Sequence, residues 1–181
     1  MGPWYTLWRI SIFGHLLYFR STGVPVAWMV TSSGTQATIQ YLLNFVKAQN
    51  LEIAPAIVMS DRDQVQLNAI SAVYPDSTVL LCRWHVLCMM RMHFRTEEFP
   101  KLWDRVREWV KTPNQSKFES WWAEMQADPS VPLSFIAYLK MNWMPIAHMW
   151  AGSAWQIARS FRRAIPICLS NRKNLYHTGH Q

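Results

Sequence analysis

The sequence predicts a mixed α/β fold, with helices packed on a small sheet, followed by a region that is almost entirely helical. Short apolar runs of strand length alternate with stretches of helical periodicity as far as Cys82. From Trp84 onward only helical patterns remain, and prolines separate them. With 181 residues, of which 50% are apolar, the chain is long enough to bury a substantial core.

The strands are predicted from short apolar runs that end in turn signals. Ser21–Gly23 and Ser32–Gly34 are such signals, and the first run is long enough for one or two strands. Pro25 lies near the start of the second run, where a strand tolerates proline. The predicted strand regions are 7–20, Val24–Thr31, Pro55–Met59 and Thr78–Cys82.

The helices are predicted where apolar residues recur every three or four positions. Val65, Ala69 and Val73 form one such stripe, and Pro75 follows it. The predicted helices are 36–49, Arg62–Tyr74, His85–Phe94, Glu98–Val110, Lys117–Ala127 and Leu133–Met141.

Asp61 directly follows the third predicted strand, in the stretch PAIVMSDRDQVQLNAI (55–70). Ligands gather at the carboxyl ends of strands in α/β sheets, and a carboxylate there can bind a divalent cation such as Mg²⁺. Alternatively, Ser60 or Asp61 caps the next helix by accepting hydrogen bonds from its free N–H groups. Taken alone, the pattern favours capping. Asp63 falls in the first turn of the predicted helix, where the helix dipole stabilises its charge, so we interpret it as structural.

Four potential zinc ligands, Cys82, His85, Cys88 and His93, follow the fourth predicted strand. If this stretch is one helix, its ends are about 16 Å apart, whereas zinc ligands lie within about 2.0–2.3 Å of the ion. No glycine or proline supplies a turn inside CRWHVLC, so we do not predict a shared zinc site. Cys82 is interpreted as a buried residue at a strand end. His85 could reach the carboxyl edge of the sheet from the first turn of the next helix.

The formal net charge of +7 is unevenly distributed along the chain. Every Asp and Glu lies between Glu52 and Asp128. Residues 129–181 contain no acid and six basic residues: Lys140, Arg159, Arg162, Arg163, Arg172 and Lys173. Such a region either contacts nucleic acid or another polyanion, or forms a solvated basic face, and these alternatives stay open.

Cysteine content and hydropathy indicate the cellular environment. Three cysteines do not form a disulfide framework, which favours a reducing, intracellular compartment. No apolar run reaches the length of a membrane span, so no membrane contact is expected.

Four blocks of this sequence share their order and spacing with a known family. They are GVPVAWMVTSS (23–33), AIVMSDRDQVQLNAI (56–70), YPDSTVLLCRWHV (74–86) and FIAYLKMNWMPIAHMW (135–150). Together, across roughly residues 20–155, they resemble the transposase domain of Mutator-like elements, the MULE type. The resemblance implies a ribonuclease-H-like fold of the DDE superfamily with a helical insertion. It also implies an Asp-Asp-Glu triad that binds two Mg²⁺ or Mn²⁺ ions and cuts and joins DNA.

The resemblance assigns roles to particular residues. Asp61 would be the second aspartate of the triad and a metal ligand, and Cys82 and His85 would be the Cys-x-x-His signature that supports the active site. DNA is the implied partner and the nucleus the implied location, and no small-molecule substrate is expected. The candidate nucleic-acid contacts are Arg159, Arg162, Arg163, Arg172 and Lys173.

The sequence departs from the family pattern at the other two triad positions. The first aspartate is expected on the first strand, before residue 20, yet no acid precedes Glu52. The last carboxylate is expected after the insertion, yet none follows Asp128, and Asn174 stands near the expected place. Because two cations on a scissile phosphate need carboxylates from separate elements, we expect a fragment that is inactive alone.

We therefore expect a truncated ribonuclease-H-like core and three regions. They are an incomplete core over 1–95, a helical insertion and return segment over 96–155, and a divergent basic tail over 156–181. The alternative is a non-catalytic DNA-binding or protein-interaction module derived from a transposase. A sheet that lacks its first strand exposes an edge and an apolar face, so self-association is also expected.

Overall fold

A computed structural model describes residues 11–19, 22–49, 54–93, 95–160 and 167–172. The chain divides into two compact units. Met1–Val79 together with Ile165–Gln181 form the first unit, and Leu80–Ala164 form the second. The described elements give a mixed α/β fold, as the alternating pattern predicted.

The structure has a strand in each of the four predicted regions, although residues 7–10 and 20 of the first region lie outside the described residues. It adds one strand that was not predicted. The described strands are β1 (Ser11–Phe19), β2 (Thr22–Thr31), β3 (Ile57–Ser60), β4 (Thr78–Leu81) and β5 (Ile167–Arg172).

The structure confirms the six predicted helices, and their ends differ from the predicted ends by no more than two residues. A short 3₁₀ helix, Met144–Ile146, and two further helices at the end of the second unit were not predicted. The described helices are α1 (Gln36–Gln49), α2 (Gln64–Val73), α3 (Arg83–Met92), α4 (Pro100–Lys111), α5 (Gln115–Ala127), α6 (Leu133–Asn142), α7 (Ala147–Trp150) and α8 (Gly152–Ser160).

The sheet has the strand order β2-β1-β5-β3-β4. Strands β1 and β2 pair antiparallel as a hairpin, and β1 also pairs antiparallel with β5. On its other side β5 pairs parallel with β3, where Val58 faces Ile167 and Met59 faces Cys168. The centre of the sheet is therefore occupied by the last of the described strands. The ribonuclease-H-like arrangement implied by the resemblance stays a prediction.

The core of the first unit lies where α1 and α2 pack against β3. Leu43 of α1, Val58 of β3 and Ile70 of α2 are each completely buried in one cluster. Both helices bury one face and expose the other, as amphipathic helices do. Lys47 also donates a 2.9 Å hydrogen bond to the carbonyl of Val73, which ties α1 to the end of α2.

The core of the second unit is built from aromatic side chains. The buried ring of Trp109 stacks on Phe118 at 4.8 Å and meets Trp150 edge-on at 5.4 Å. The indole N–H groups are satisfied by backbone carbonyls, since Trp109 donates to Phe118 O at 3.0 Å and Trp150 to Trp143 O at 2.9 Å. Trp109, Trp150 and Phe118 are among the largest fully buried side chains of the described residues.

A close approach of two helices also defines the second unit. Gly152 begins α8, and a Cβ atom placed on it would collide with the backbone carbonyls of Lys111 and Thr112 at the end of α4. Only a residue without a side chain fits there. Within the described residues, none of the helices has both the length and the apolar character that crossing a bilayer requires.

Candidate functional site

Asp61 lies one residue beyond the end of β3, at the position where the sequence placed a candidate metal ligand. Its side chain is half-buried. The strand before it is short and its residues Ile57 and Val58 are buried, so the chain turns toward the surface within a few residues. The structure thus presents this carboxylate at the carboxyl end of a core strand, as predicted.

The helix cap in this turn is Asp63, and neither Ser60 nor Asp61. The Oδ1 atom of Asp63 accepts hydrogen bonds from the N–H groups of Val65 at 2.9 Å and Gln66 at 3.4 Å. Its backbone is extended, with φ of −107° and ψ of 115°, as an N-cap requires. The helix therefore begins at Gln64 and not at Arg62, because Asp63 supplies the acceptor for its first free N–H groups. Asp63 is structural, as expected, although it precedes the first turn.

Ser60 has a different structural role, because its hydroxyl points into the protein. It is completely buried and donates a 2.9 Å hydrogen bond to Oε1 of Gln66, which is also completely buried. This bond joins the last residue of β3 to the first turn of α2. It therefore fixes the short turn that contains Asp61 and Asp63.

Cys82 and His85 lie in the second unit, at the start of α3. Cys82 is the N-cap residue, and its carbonyl accepts the first helical hydrogen bond from Val86 N at 3.0 Å, while its thiol makes no capping bond. His85 is half-buried and meets the ring of Trp84 edge-on at 4.7 Å. The Arg83 guanidinium lies 4.6 Å above the ring of Trp155 in α8, which anchors the beginning of α3. Cys82 is only partly buried, so the expectation of a buried strand-end cysteine is wrong in this detail.

The rest of α3 is one continuous helix from Arg83 to Met92. Cys82 and His93 therefore cap its opposite ends, about 16 Å apart along its axis. Burial raises the pKa of the Cys88 thiol, the nearby Arg91 opposes this shift, and Cys82 adds to it. The raised pKa favours the neutral thiol of this half-buried residue at neutral pH.

A comparison with known protein families finds a match in the part of the chain that contains Asp61, Cys82 and His85. Residues 18–89 match the MULE transposase domain. The matched residues run from the end of β1 into α3 and include Asp61, Cys82 and His85. The ribonuclease-H-like DDE superfamily is the general context of this family. No curated protein matches the chain.

The match confirms the resemblance for three of the four sequence blocks on which it was based. The fourth block, 135–150, lies outside the matched residues. Its assignment to the MULE return segment stays a prediction, as do the roles of Asp61, Cys82 and His85.

The described side chains around Asp61 do not fit the pair of cations that the MULE family implies. Paired cations need several carboxylates from separate elements. Asp63 is engaged as a helix cap, and the neighbouring strand β5 has the sequence ICLSNR, which contains no acid. Among the residues that the structure describes, no group of three or more His, Cys, Asp or Glu side chains is arranged to hold a metal ion.

The candidate DNA contacts lie largely outside the described residues. Arg162, Arg163 and Lys173 lie there, as does Asn174, the residue near the expected triad glutamate. Arg159 belongs to α8 and Arg172 ends β5, where the structure gives the course of the backbone.

By contrast, several basic residues of the second unit contact carboxylates. Arg105 bonds Glu124 at 2.7 Å, Arg107 pairs with Asp104 within α4, and Arg95 pairs with Glu98 in the turn before α4. The neighbouring carboxylates therefore partly neutralise the charges of these arginines.

Two features of the site were not predicted from the sequence. The first is the Ser60–Gln66 bond, whose signal is a polar residue on the core face of a helix: Gln66 shares that face with Ala69, Ile70 and Val73. The predicted stripe began instead at Val65, which is only partly buried. The second is β5, which pairs with β3, the strand that ends one residue before Asp61.

Proposed function

We propose that this chain is a transposase-derived DNA-binding protein that does not cleave DNA by itself. The observation that carries the proposal is the MULE match over residues 18–89, combined with the position of Asp61 at the end of β3. The chemistry of the family, metal-dependent DNA cleavage and strand transfer, is the reference against which this chain is compared. The ribonuclease-H-like arrangement, the nuclear location and the role of Asp61 as the second triad aspartate are parts of the proposal.

The loss of cleavage follows from the small number of carboxylates near Asp61. A magnesium or manganese pair is held by anionic oxygens that neutralise it. In the described part of the chain, Asp61 is the carboxylate at the strand end that does not serve as a helix cap, and β5 brings no second one. A single anionic ligand leaves two divalent cations poorly neutralised and weakly held.

The retention of DNA binding is supported by the separation of charge along the chain. Acids and bases mix within residues 52–128, and cations such as Arg95 and Arg107 contact carboxylates there. Residues 129–181 contain no acid that could neutralise their six Lys and Arg residues. An excess of unneutralised cations attracts the phosphate backbone of DNA.

The test of DNA binding is its dependence on salt. Fluorescence anisotropy with a labelled duplex should show log affinity falling linearly with log salt. In the triple variant Arg162→Gln, Arg163→Gln and Lys173→Gln, the loss of three phosphate contacts should make the slope shallower by about 2.7. The matched control replaces Arg95, Arg107 and Lys111 by Gln, and its slope should equal that of the wild type. A salt-independent affinity, or an equal change in both triple variants, would overturn the proposal.

The test of inactivity is nicking of supercoiled plasmid in the presence of Mn²⁺. The wild type should show no more nicking than Asp61→Asn. Nicking that Asp61→Asn abolishes would overturn the inactivity and support the assigned role of Asp61. Nicking that persists in Asp61→Asn would contradict both statements.

A second candidate function, protein interaction, is favoured by exposed apolar side chains on two helices of the second unit. Met92 of α3 and Met141 of α6 are 76% and 78% exposed. The two helices are joined where His93 stacks on Tyr138 at 3.7 Å, so these methionines flank one helix junction. Exposed methionine surface suits adaptable protein contacts. Size-exclusion chromatography over a range of concentrations, with and without DNA, distinguishes this function, since a DNA-binding monomer changes its elution only when DNA is added.

A further inference from the structure

Helix α3 presents methionine side chains to solvent. Met89 and Met92 are 43% and 76% exposed, and because they are three residues apart they share one face of the helix. The residues of α3 that are buried are Val86 and Met90. The exposed methionines are therefore additional to the side chains by which α3 packs in the protein.

Helix α6 extends this exposed apolar surface. The ring of Tyr138 in α6 stacks on His93 at 3.7 Å, and its hydroxyl oxygen lies 3.5 Å from the carbonyl oxygen of Met89. Met141 follows Tyr138 by three residues, so it lies on the side of α6 that meets α3. We call Met89, Met92 and Met141 the methionine face.

Two exposed cations flank the methionine face. Arg91 in α3 and Lys140 in α6 are each adjacent in sequence to a methionine of the face. Neither helix contains an acid, and the ion pairs within the described residues join other groups. The next acids after α3, Glu97 and Glu98, lie in the turn before α4, where Glu98 pairs with Arg95. The methionine face is therefore bordered by positive charge that takes part in no ion pair with the described residues.

We infer that the methionine face binds an acidic amphipathic helix of a partner protein, whose carboxylates pair with Arg91 and Lys140. This inference names the partner for the second candidate function and rests on that function. Methionine side chains adapt their shape to an apolar surface, and a helix offers one as apolar residues at i, i+3, i+4 and i+7. The two cations select the charge of the partner, because they repel a basic helix.

An acidic helix matches both properties of this surface. Duplex DNA would supply phosphates for the two cations but no apolar stripe for the three methionines. Helix α3 has ten residues and is about 15 Å long. A partner helix of about three turns is therefore long enough to cover it.

The charge of the partner is tested with two designed peptides and the full-length chain, without DNA. The probe is a fluorescein-labelled peptide of about 14 residues, with leucines at helical spacing and glutamates on both flanks. The matched control peptide has lysine in place of every glutamate, so its apolar stripe is the same. Fluorescence anisotropy should show that the acidic peptide binds at least about tenfold more tightly. Equal affinities, or no binding of the acidic peptide, would overturn the inference.

The contribution of the methionines is tested by Met92→Ser combined with Met141→Ser, which should weaken binding of the acidic peptide by about tenfold. The matched control is Tyr41→Ser combined with Phe45→Ser, which removes two exposed apolar side chains from α1 in the first unit. The control should bind as the wild type does. Unchanged binding in the methionine variant, or equal weakening in both variants, would place the peptide elsewhere and refute the site.

The contribution of the cations is tested by Arg91→Gln combined with Lys140→Gln, which should weaken binding by about fivefold at low salt. The matched control is Arg107→Gln combined with Lys111→Gln, whose cations already contact carboxylates within α4. Its affinity for the peptide should be that of the wild type. Equal effects in the two variants would contradict the assigned pairing.

The unsubstituted protein gives a second measurement that does not depend on the folding of variants. In an NMR spectrum of methionine methyl groups, the signals of Met89, Met92 and Met141 should shift when the acidic peptide is added. Met125 in α5 is completely buried and serves as the internal control. Unchanged signals from the methionine face, with the peptide bound, would overturn the site.

Other occupants of the methionine face give different results. Concentration-dependent self-association that Met92→Ser with Met141→Ser abolishes would show that a second copy covers the face, which would overturn the acidic helix but not protein interaction. Displacement of the bound peptide by duplex DNA would likewise overturn it. The triple variant designed to test DNA binding changes no residue of this surface, so it should bind the peptide normally. A failure of peptide binding therefore leaves the DNA-binding proposal standing, and the reverse also holds.

Discussion

Replacement of Ser60 by alanine tests whether one buried hydrogen bond holds the turn that contains Asp61. Ser60 and Gln66 are completely buried, and the 2.9 Å bond between their side chains links β3 to α2. The amide nitrogen of Gln66 has no hydrogen-bond partner within the described residues. Ser60→Ala would therefore leave both polar atoms of a buried amide unsatisfied, at a cost of about 1–3 kcal/mol.

Substitution of Gln66, the partner of Ser60, tests the same hydrogen bond from its other side. Gln66→Met replaces the amide by an apolar chain of similar length but orphans the Ser60 hydroxyl. In the double variant, Ser60→Ala with Gln66→Met, no buried polar group remains, so its stability should be close to that of the wild type. The sum of the two single effects should then exceed the double effect by about 2–6 kcal/mol.

The assay is hydrogen exchange of the amides over 57–73, which reports the opening free energy of β3 and α2 rather than that of the whole chain. Amides of the second unit serve as the internal reference. Effects of the two substitutions that simply add would refute the coupling. A Ser60→Ala variant as stable as the wild type would show that the bond does not hold this turn.

Three further predictions concern single residues. Asp63→Ala should destabilise α2 by about 1 kcal/mol through loss of its cap, whereas Asp61→Asn should leave α2 within about 0.5 kcal/mol of the wild type; equal effects in hydrogen exchange would contradict the cap assignment. Gly152→Ala should destabilise the second unit by about 1–3 kcal/mol, because its methyl group meets backbone atoms of α4 that cannot rotate away. Urea unfolding followed by tryptophan fluorescence measures this effect, and an unchanged midpoint would refute it. Finally, the side-chain and backbone hydrogen bonds from Ser130 lower the pKa of Asp128, so its stabilising contribution is present above the ordinary carboxyl pKa and is lost as pH falls through the lowered value. Ser130→Ala should raise this pKa in an NMR titration, and an unchanged value would contradict the cause.

The periodic elements could be predicted from the sequence, whereas the pairing of distant segments could not. Helices α1 to α6 each carry an apolar stripe, and a pattern that repeats every three or four residues is a local property. Strand β5 is six residues long and ends in Ser-Asn-Arg, so it has no clear strand signal of its own. Its conformation depends on its two neighbours, since strand formation reflects context more than intrinsic preference.

At the candidate site, too, the position of a residue at a strand end could be predicted, whereas its hydrogen-bond partners could not. The position of Asp61 at a strand end followed from the apolar run before it. The capping residue could not be chosen, because Ser60, Asp61 and Asp63 all have side chains that can accept hydrogen bonds from a helix N-terminus. In the structure, Asp63 accepts the hydrogen bond from the helix N-terminus, whereas the side chain of Ser60 is buried and donates to Gln66.

The central position of β5 also has a consequence for biosynthesis. The ribosome makes the hairpin of β1 and β2, then β3 and β4, and then the entire helical unit before β5 is translated. Until that moment the nascent sheet has no middle strand, and closing so long a loop slows its completion. We therefore expect the nascent chain to need chaperones that shield the unpaired edges of β1 and β3. Folding should be complete only after residue 172 has been translated.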